Sequence, residues 1–356
     1  MAIQNQLAQL GEDLGFRAVM EYSFESIIGT YSPRYDVVWF LNVEALKVNS
    51  LSNVKLINEH YLPFAAFEVE GSTTSSKNQL GNIGNLQLSP CYYNFMVVNN
   101  AGATTEIDTY RRGMKIVRSM QRVMGERQLF FLDSSTIEKM PIFEKTTIGH
   151  LSDGQIHGTR LKGSGGEKKS IGVAKKMLVD LSKTKLHIDY DRSPDYFKWV
   201  YHIDQKYQQV RVTSKTKYLM KQRYTKSPFP HVQGDVKSVR DYYYVPKIDI
   251  ACGFDVQGGF VQFLHFLANQ IGEDAVHFPL LIYVADKMEE SLYFPLLGIE
   301  IEMKESKHAL GSLMNLSNFH YVGWLVSPKV MEPYVSTYKR HLGMQNVHYI
   351  DLEDYL

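Results

Sequence analysis

Two glutamates spaced two apart follow an apolar run in Pro63–Leu86, PFAAFEVEGSTTSSKNQLGNIGNL. On a β-strand that spacing puts the carboxylates of Glu68 and Glu70 on one face. Acids on one face of a buried strand are costly unless a cation or a partner neutralises them. A third acid, Asp36, stands near the start of another apolar run, Pro33–Leu41. An aspartate near the start of one strand and two acids on its neighbour can converge on one or two divalent cations. Oxygen-only ligands without paired His or Cys favour Mg²⁺, or Mn²⁺, over zinc. Such an ion activates water and stabilises charge on a phosphoryl group. A nearby lysine can orient the attacking water or neutralise the developing charge.

The same pattern occurs twice. Pro295–Leu316 reads PLLGIEIEMKESKHALGSLMNL, so Glu300 and Glu302 match Glu68 and Glu70. Upstream, Tyr244-x-Pro246-Lys247-x-Asp249 matches Tyr31-x-Pro33-Arg34-x-Asp36. Downstream of the acids, Lys77-x-x-Leu80-Gly81 matches Lys307-x-x-Leu310-Gly311, with a turn two residues shorter in the second copy. Three aligned blocks in one order indicate an internal duplication. Repetition assigns the lysine role to Lys77 and Lys307. The competing reading is a repeat kept for packing, its acids paired to Arg34 and Lys247.

These residues need elements to hold them. Ile3–Leu14 has helical apolar spacing and ends near Gly15; Phe16–Tyr22, Pro33–Leu41 and Ala65–Glu70 read as strands. A helix over Gln79–Leu88 crosses over to the strand Tyr92–Asn99, and a basic helix over Thr109–Met124 leads to the strand Gln128–Leu132. In the second copy, Gly259–Ile271 is an apolar helix in which His265 reads as a core histidine, and Phe278–Val284 a buried strand. Tyr321–Val326 is the strand after the acids, and Tyr334–Leu342 and Val347–Leu352 close the copy as helix and strand. The succession describes mixed sheets flanked by helices, an α/β class.

Composition sets the bounds. The 356 residues are 44% apolar and 22% charged with a net charge of +1, the profile of a globular protein with no global pull toward a polyanion. Two cysteines, Cys91 and Cys252, do not match between copies and read as reduced thiols. No run approaches membrane-spanning length and no signal-peptide core opens the chain, so no membrane partner and a cytoplasmic location are expected. Charge is segregated, however: Gly158–Lys226 carries 17 Lys/Arg against 6 Asp/Glu, with Tyr196, Trp199, Tyr207, Tyr218 and Tyr224 interleaved. That fits a nucleic-acid surface, with Arg160, Lys162, Lys168, Lys169, Lys175 and Lys176 as its candidate contacts. A solvated lysine-rich face is the plainer reading of the same stretch. Gly163–Gly166 lacks the Gly-Lys-Ser/Thr of a phosphate loop.

Asp…(Asp/Glu)-x-Lys on adjacent strands is the signature of the PD-(D/E)XK nuclease superfamily, which includes many restriction endonucleases. Pro33-Arg34-Tyr35-Asp36 followed by Phe67-Glu68-Val69-Glu70 resembles the variant with glutamate in the lysine position. The resemblance covers about residues 3–132 and again 243–356. In the second copy, Glu302-Met303-Lys304 restores a literal Glu-x-Lys two residues out of register, which makes Lys304 an alternative catalytic lysine. The resemblance implies two tandem restriction-endonuclease-like domains, 1–145 and 233–356, joined by a basic α+β middle segment, 146–232. It also implies a Mg²⁺-dependent endonuclease for double-stranded DNA, a type II restriction enzyme acting as a pseudo-dimer. In that reading the catalytic and metal residues are Asp36, Glu68 and Glu70 in one copy and Asp249, Glu300 and Glu302 in the other. No methyltransferase motif is present, so a modification partner would be a separate chain, and the molecule would act as a monomer or homodimer. The other readings are a DNA-binding regulator with inactive nuclease-like domains and a nuclease for other nucleic-acid structures.

Overall fold

The computed structural model describes residues 2–25, 32–51, 60–71, 75–99, 128–149, 156–158, 166–192, 248–271, 291–304, 309–319, 321–342 and 346–356, with a few isolated positions between them. The chain is α/β, with two mixed sheets flanked by helices, and its residues divide into two compact units.

Helix α1 (Ala2–Asp13) buries Ile3 and Leu7, one turn apart, and stops before Gly15, whose φ of 88° suits a residue without a Cβ. Strands β1 (Arg17–Ser23), β2 (Arg34–Asn42) and β3 (Tyr61–Gly71) pair antiparallel in succession. Pro63 cannot donate to the ladder, and the β2/β3 register shifts beside it, between Trp39 and Phe40. Helix α2 (Ser76–Leu88) opens on Ser75, whose hydroxyl accepts from Asn78 N at 3.3 Å. It carries the chain over to β4 (Tyr93–Asn99), parallel to β3, and β5 (Gln128–Asp133) is parallel to β4. The order is β1-β2-β3-β4-β5. Asp133 then caps a short helix, α3 (Ser134–Glu138). The core of this unit is aromatic: Trp39, Phe67, Phe95 and Phe130 stack along the sheet, and the helix Gly259–Ile271 sets Phe260 and Phe263 against them. Trp39 Nε1 donates to Leu7 O at 3.0 Å. Gly11 leaves room for that indole, since a Cβ there would lie 2.4 Å from Trp39 Nε1.

The second sheet follows from β6 (Thr146–Ile148) and β7 (Ile156–Gly158) through α4 (Gly166–Leu181), β8 (His187–Arg192), β9 (Ile248–Gly258) and α5 (Gly259–Ile271). It continues through β10 (Ser291–Ile301), α6 (Ala309–Phe319), β11 (Val322–Ser327), α7 (Glu332–Leu342) and β12 (Val347–Asp351). Its order is β12-β11-β10-β9-β8-β7, with β6 also paired to β9. Strands β10, β11 and β12 are parallel, and β8 and β9 antiparallel. Leu313 and Leu316 of α6 and Val335 of α7 bury against Ile248, Leu325 and Val347.

The succession α1-β1-β2-β3-α2-β4-β5 recurs as α4-β8-β9-β10-α6-β11-β12, with the same neighbour order in the sheet. The second copy therefore begins at Gly166, upstream of Tyr243. Helix α4 and strand β8 lie within residues 146–232, expected as a separate middle segment, yet they build the second sheet. The cause is an apolar helix face, Val173, Ala174, Met177, Leu178 and Leu181, that must be buried. The compact units are 1–45 with 55–148 and 256–272, and 46–54 with 149–255 and 273–356, in place of the boundaries 145 and 232. Within the second unit, Lys185 N donates to Leu46 O at 2.9 Å. Leu281, the described residue of the expected strand Phe278–Val284, is helical and buried; apolar runs of that length do not separate helix from strand. His265 is half-buried. The hairpin expected within Lys198–Thr213 lies outside the described residues, as does the helix Thr109–Met124 except for Gly113 and Ile116, both helical. Among the described residues, no helix is long and apolar enough to cross a membrane.

Candidate active site

Asp36 lies where the β2/β3 ladder ends. The last residue pair is Val37 with Phe67, and beyond it the backbone N–H of Val69 donates to Asp36 Oδ2 at 2.6 Å. The side chain thus replaces the main-chain partner that Val69 forgoes where the strands part. Gln4 Nε2, from α1, donates to Asp36 Oδ1 at 2.6 Å and fixes the carboxylate from the other side. Glu68 and Glu70 flank Val69 on β3, and each is only 5% exposed.

The two glutamates are held differently. Glu70 accepts a hydrogen bond from Asn82 Nδ2 of α2, and Tyr35 Oη donates to Asn85 O at 2.9 Å, seating the same helix. Glu68 Oε1 is buried with no hydrogen-bond partner. Burial pushes the Glu68 carboxyl up to about 9, and the charges of Asp36, Glu70 and Glu21 add to the shift. The protonated form is further favoured because it hydrogen-bonds the Asp36 carboxylate. Burial also raises Asp36, against the lowering effect of the Val69 and Gln4 hydrogen bonds.

The second copy repeats this geometry. Ile301 N donates to Asp249 Oδ2 at 2.8 Å, as Val69 does to Asp36. Ser312 Oγ donates to Glu302 Oε1 at 2.8 Å, from the α6 position that matches Asn82. Burial pushes Glu300 up to about 9, the Asp249 charge adds to this, and a hydrogen bond from Asn315 opposes it. Six of the acids read from the sequence therefore form two equivalent groups: Asp36, Glu68 and Glu70, and Asp249, Glu300 and Glu302.

The lysines do not join them so clearly. Lys77 is exposed in the first turn of α2, Lys304 is exposed beyond the end of β10, and Lys307 lies outside the described residues. Arg160 and Lys162 also lie outside them. Lys168 is in the first turn of α4, and Lys169, Lys175 and Lys176 are exposed farther along it. Lys176 Nζ donates to the Leu356 carbonyl, so it is occupied within the chain. Arg34, expected as a packing partner for the acids, pairs instead with Glu21 of β1. Sequence reading missed Gln4, Asn82, Ser312 and Asn315. Asn82 and Ser312 occupy one aligned position with two residue types, and the available signal was a polar residue on a helix face that also buries Ile83 and Leu313.

The donor set fits a hard divalent cation. Every side chain on the acids is an oxygen or amide group, and the orphaned, buried Glu68 Oε1 lacks the positive partner its position calls for. Among the described residues, no group of three or more His, Cys, Asp or Glu is gathered at metal-holding spacing. Asn82 and Ser312 hold Glu70 and Glu302, which leaves Asp36 with Glu68, and Asp249 with Glu300, as the close carboxylate pairs. Mg²⁺ is commonly held by one or two carboxylates together with substrate phosphate and water. No family model, curated protein or solved structure matches the chain.

Proposed function

We propose that the chain is a divalent-metal-dependent endonuclease for double-stranded DNA, with one hydrolytic site in each copy of the repeat. The observation that carries this reading is the repeated cradle: in both copies an aspartate takes the backbone N–H between two glutamates, and the second glutamate is tied to the crossover helix. Packing alone would not require three acids to be kept together twice at such electrostatic cost. Asp36 with Glu68, and Asp249 with Glu300, are the residues that would hold Mg²⁺ or Mn²⁺. When bound, the cation supplies Lewis-acid chemistry, neutralising phosphoryl charge and lowering the pKa of water. The chain's own part is positional. Val69 N–H and Gln4 orient Asp36, and Asn82 keeps Glu70 turned to the helix, where it accepts a proton from water more readily than buried Glu68 does.

The two sites support a pseudo-dimer in which each copy cuts one strand, in the manner of a restriction endonuclease with its methyltransferase as a separate chain. Exposed Lys169 and Lys175 on α4 supply phosphate contacts. A second reading, DNA binding without cleavage, is favoured by one feature: glutamates occupy the positions where the nuclease signature has lysine. Incubating supercoiled plasmid with Mg²⁺ and with EDTA separates the two. Metal-dependent cutting that is lost in the Asp36→Asn, Asp249→Asn double variant supports the nuclease. Retention of plasmid on the protein with no cutting supports the second reading. In the single variants, nicked circles from both indicate one strand per site, whereas linear product from one and none from the other leaves a single catalytic copy.

A further inference from the structure

An acid that the repeat alignment passes over stands beside each site. In the first sheet, the pairs Met20 with Val37 and Tyr22 with Tyr35 place Glu21 directly across from Asp36. In the second, the pairs Tyr190 with Ile250 and Arg192 with Ile248 place Asp191 directly across from Asp249. Nothing else in β1, RAVMEYS, and β8, HIDYDR, matches at these positions. The coincidence is therefore confined to the acid and is not a by-product of general similarity between the strands. Like charges directly opposite on an antiparallel pair are destabilising, and here the arrangement occurs in both copies.

Three further observations belong to the first copy. Glu21 has φ 54°, a left-handed backbone within a strand, and such conformations persist where function holds them. Its charge acts on both Asp36 and Glu68, so it lies within electrostatic reach of the buried pair. Glu68, only 5% exposed, keeps its Oε1 without a partner in the same cluster. A cation is the partner that would serve all of these oxygens at once. Arg34 pairs with Glu21 meanwhile and provides the positive charge from the solvent side.

We propose that Glu21 and Asp191 are the outer acidic ligands of the two sites, each joining its facing aspartate in holding the divalent cation. Glu21 exchanges its Arg34 partner for the ion when the ion arrives. This inference rests on the metal-dependent reading above, and the experiment keeps the two apart.

The test is Mn²⁺ binding to the full chain, followed by the electron paramagnetic resonance signal of the free ion and read alongside thermal melting. Glu21→Gln is expected to weaken Mn²⁺ binding at one site by about 10- to 100-fold, and Asp191→Asn to do the same at the other. Arg34→Gln removes the competitor and is expected to leave that affinity unchanged or raise it. If Glu21 serves only its ion pair with Arg34, the two variants at that pair will behave alike and bind Mn²⁺ as the wild type does, which overturns the proposal. Unchanged binding in Glu21→Gln beside weakened binding in Asp36→Asn overturns it equally. Absence of Mn²⁺ binding by the wild type overturns the metal-dependent reading itself, and the ligand role falls with it.

Discussion

Replacing Glu68 by Gln should stabilise the metal-free protein at alkaline pH while removing its response to Mg²⁺. The buried carboxyl is pushed up from 4.5 to about 9 in the folded chain. A raised acid pKa contributes its full stability below the unfolded value and loses it as pH rises toward the folded value. The window is thus about pH 4.5 to 9, with the folded state losing about 1.36 kcal/mol per pH unit from this group. Between about pH 5.5 and 8 the loss is about 3.4 kcal/mol for a rigid site, and relaxation with water entry reduces it to roughly 2 kcal/mol. Gln has the same shape and no charge to gain. Any cost of placing an amide at the orphaned Oε1 position is the same at both pH values and cancels in the comparison.

The assay is urea unfolding of the wild type and Glu68→Gln in EDTA at the two pH values. The stability difference between the proteins should move in the variant's favour by roughly 2 kcal/mol as pH rises. Addition of Mg²⁺ at about 100 times its Kd should then stabilise the wild type by about 2.7 kcal/mol and the variant by much less. Parallel pH profiles for the two proteins would refute the claim that Glu68 carries a buried, unneutralised acid.

Three other outcomes are expected. Asn82→Ala releases Glu70, and should slow plasmid cleavage by about 10-fold or more while costing about 1 kcal/mol in unfolding, a split read by comparing initial rates with melting. Neutralising Lys168, Lys169 and Lys175 should reduce the slope of log affinity against log salt by about 0.9 for each lysine that no longer meets a phosphate, measured by fluorescence anisotropy on duplex DNA; an unchanged slope places the DNA surface elsewhere. Gly11→Ala puts a methyl 2.4 Å from Trp39 Nε1, and should destabilise the protein by about 1–3 kcal/mol in chemical unfolding.

The acids were legible because a strand's period is two and their spacing is kept in both copies. Glu68 and Glu70 had to share a face, and Asp36 and Asp249 marked the neighbouring strand by position alone. Asn82 and Ser312 were hidden by their difference: one donates through an amide and the other through a hydroxyl, so identity matching passes over a shared role. Glu21 and Asp191 were hidden twice, by different side-chain lengths and by very different loops before the aspartates they face. A register read from pairs of strands, not a spacing along the chain, brings them into view.

Charge also drew attention away from packing in α4. Its lysines stood out, while the apolar positions Val173, Met177 and Leu181, one turn apart, carried the equally plain statement that this helix must cover something. Periodicity of that kind says that a face will be buried, never against which sheet. The same ambiguity governs Gly259–Ile271, where Phe260, Phe263, Leu264 and Leu267 are fully buried. Its position after β9 assigns it to the second copy by order, yet its aromatic rings belong with Trp39 and Phe95 of the first sheet. Residues 46–54, which follow β2, are likewise grouped with the second unit. Both connectors occupy the step between the second and third strands of their copies. Chain order alone therefore misplaces the unit boundaries at the same point of each repeat, and only the burial of specific side chains corrects them.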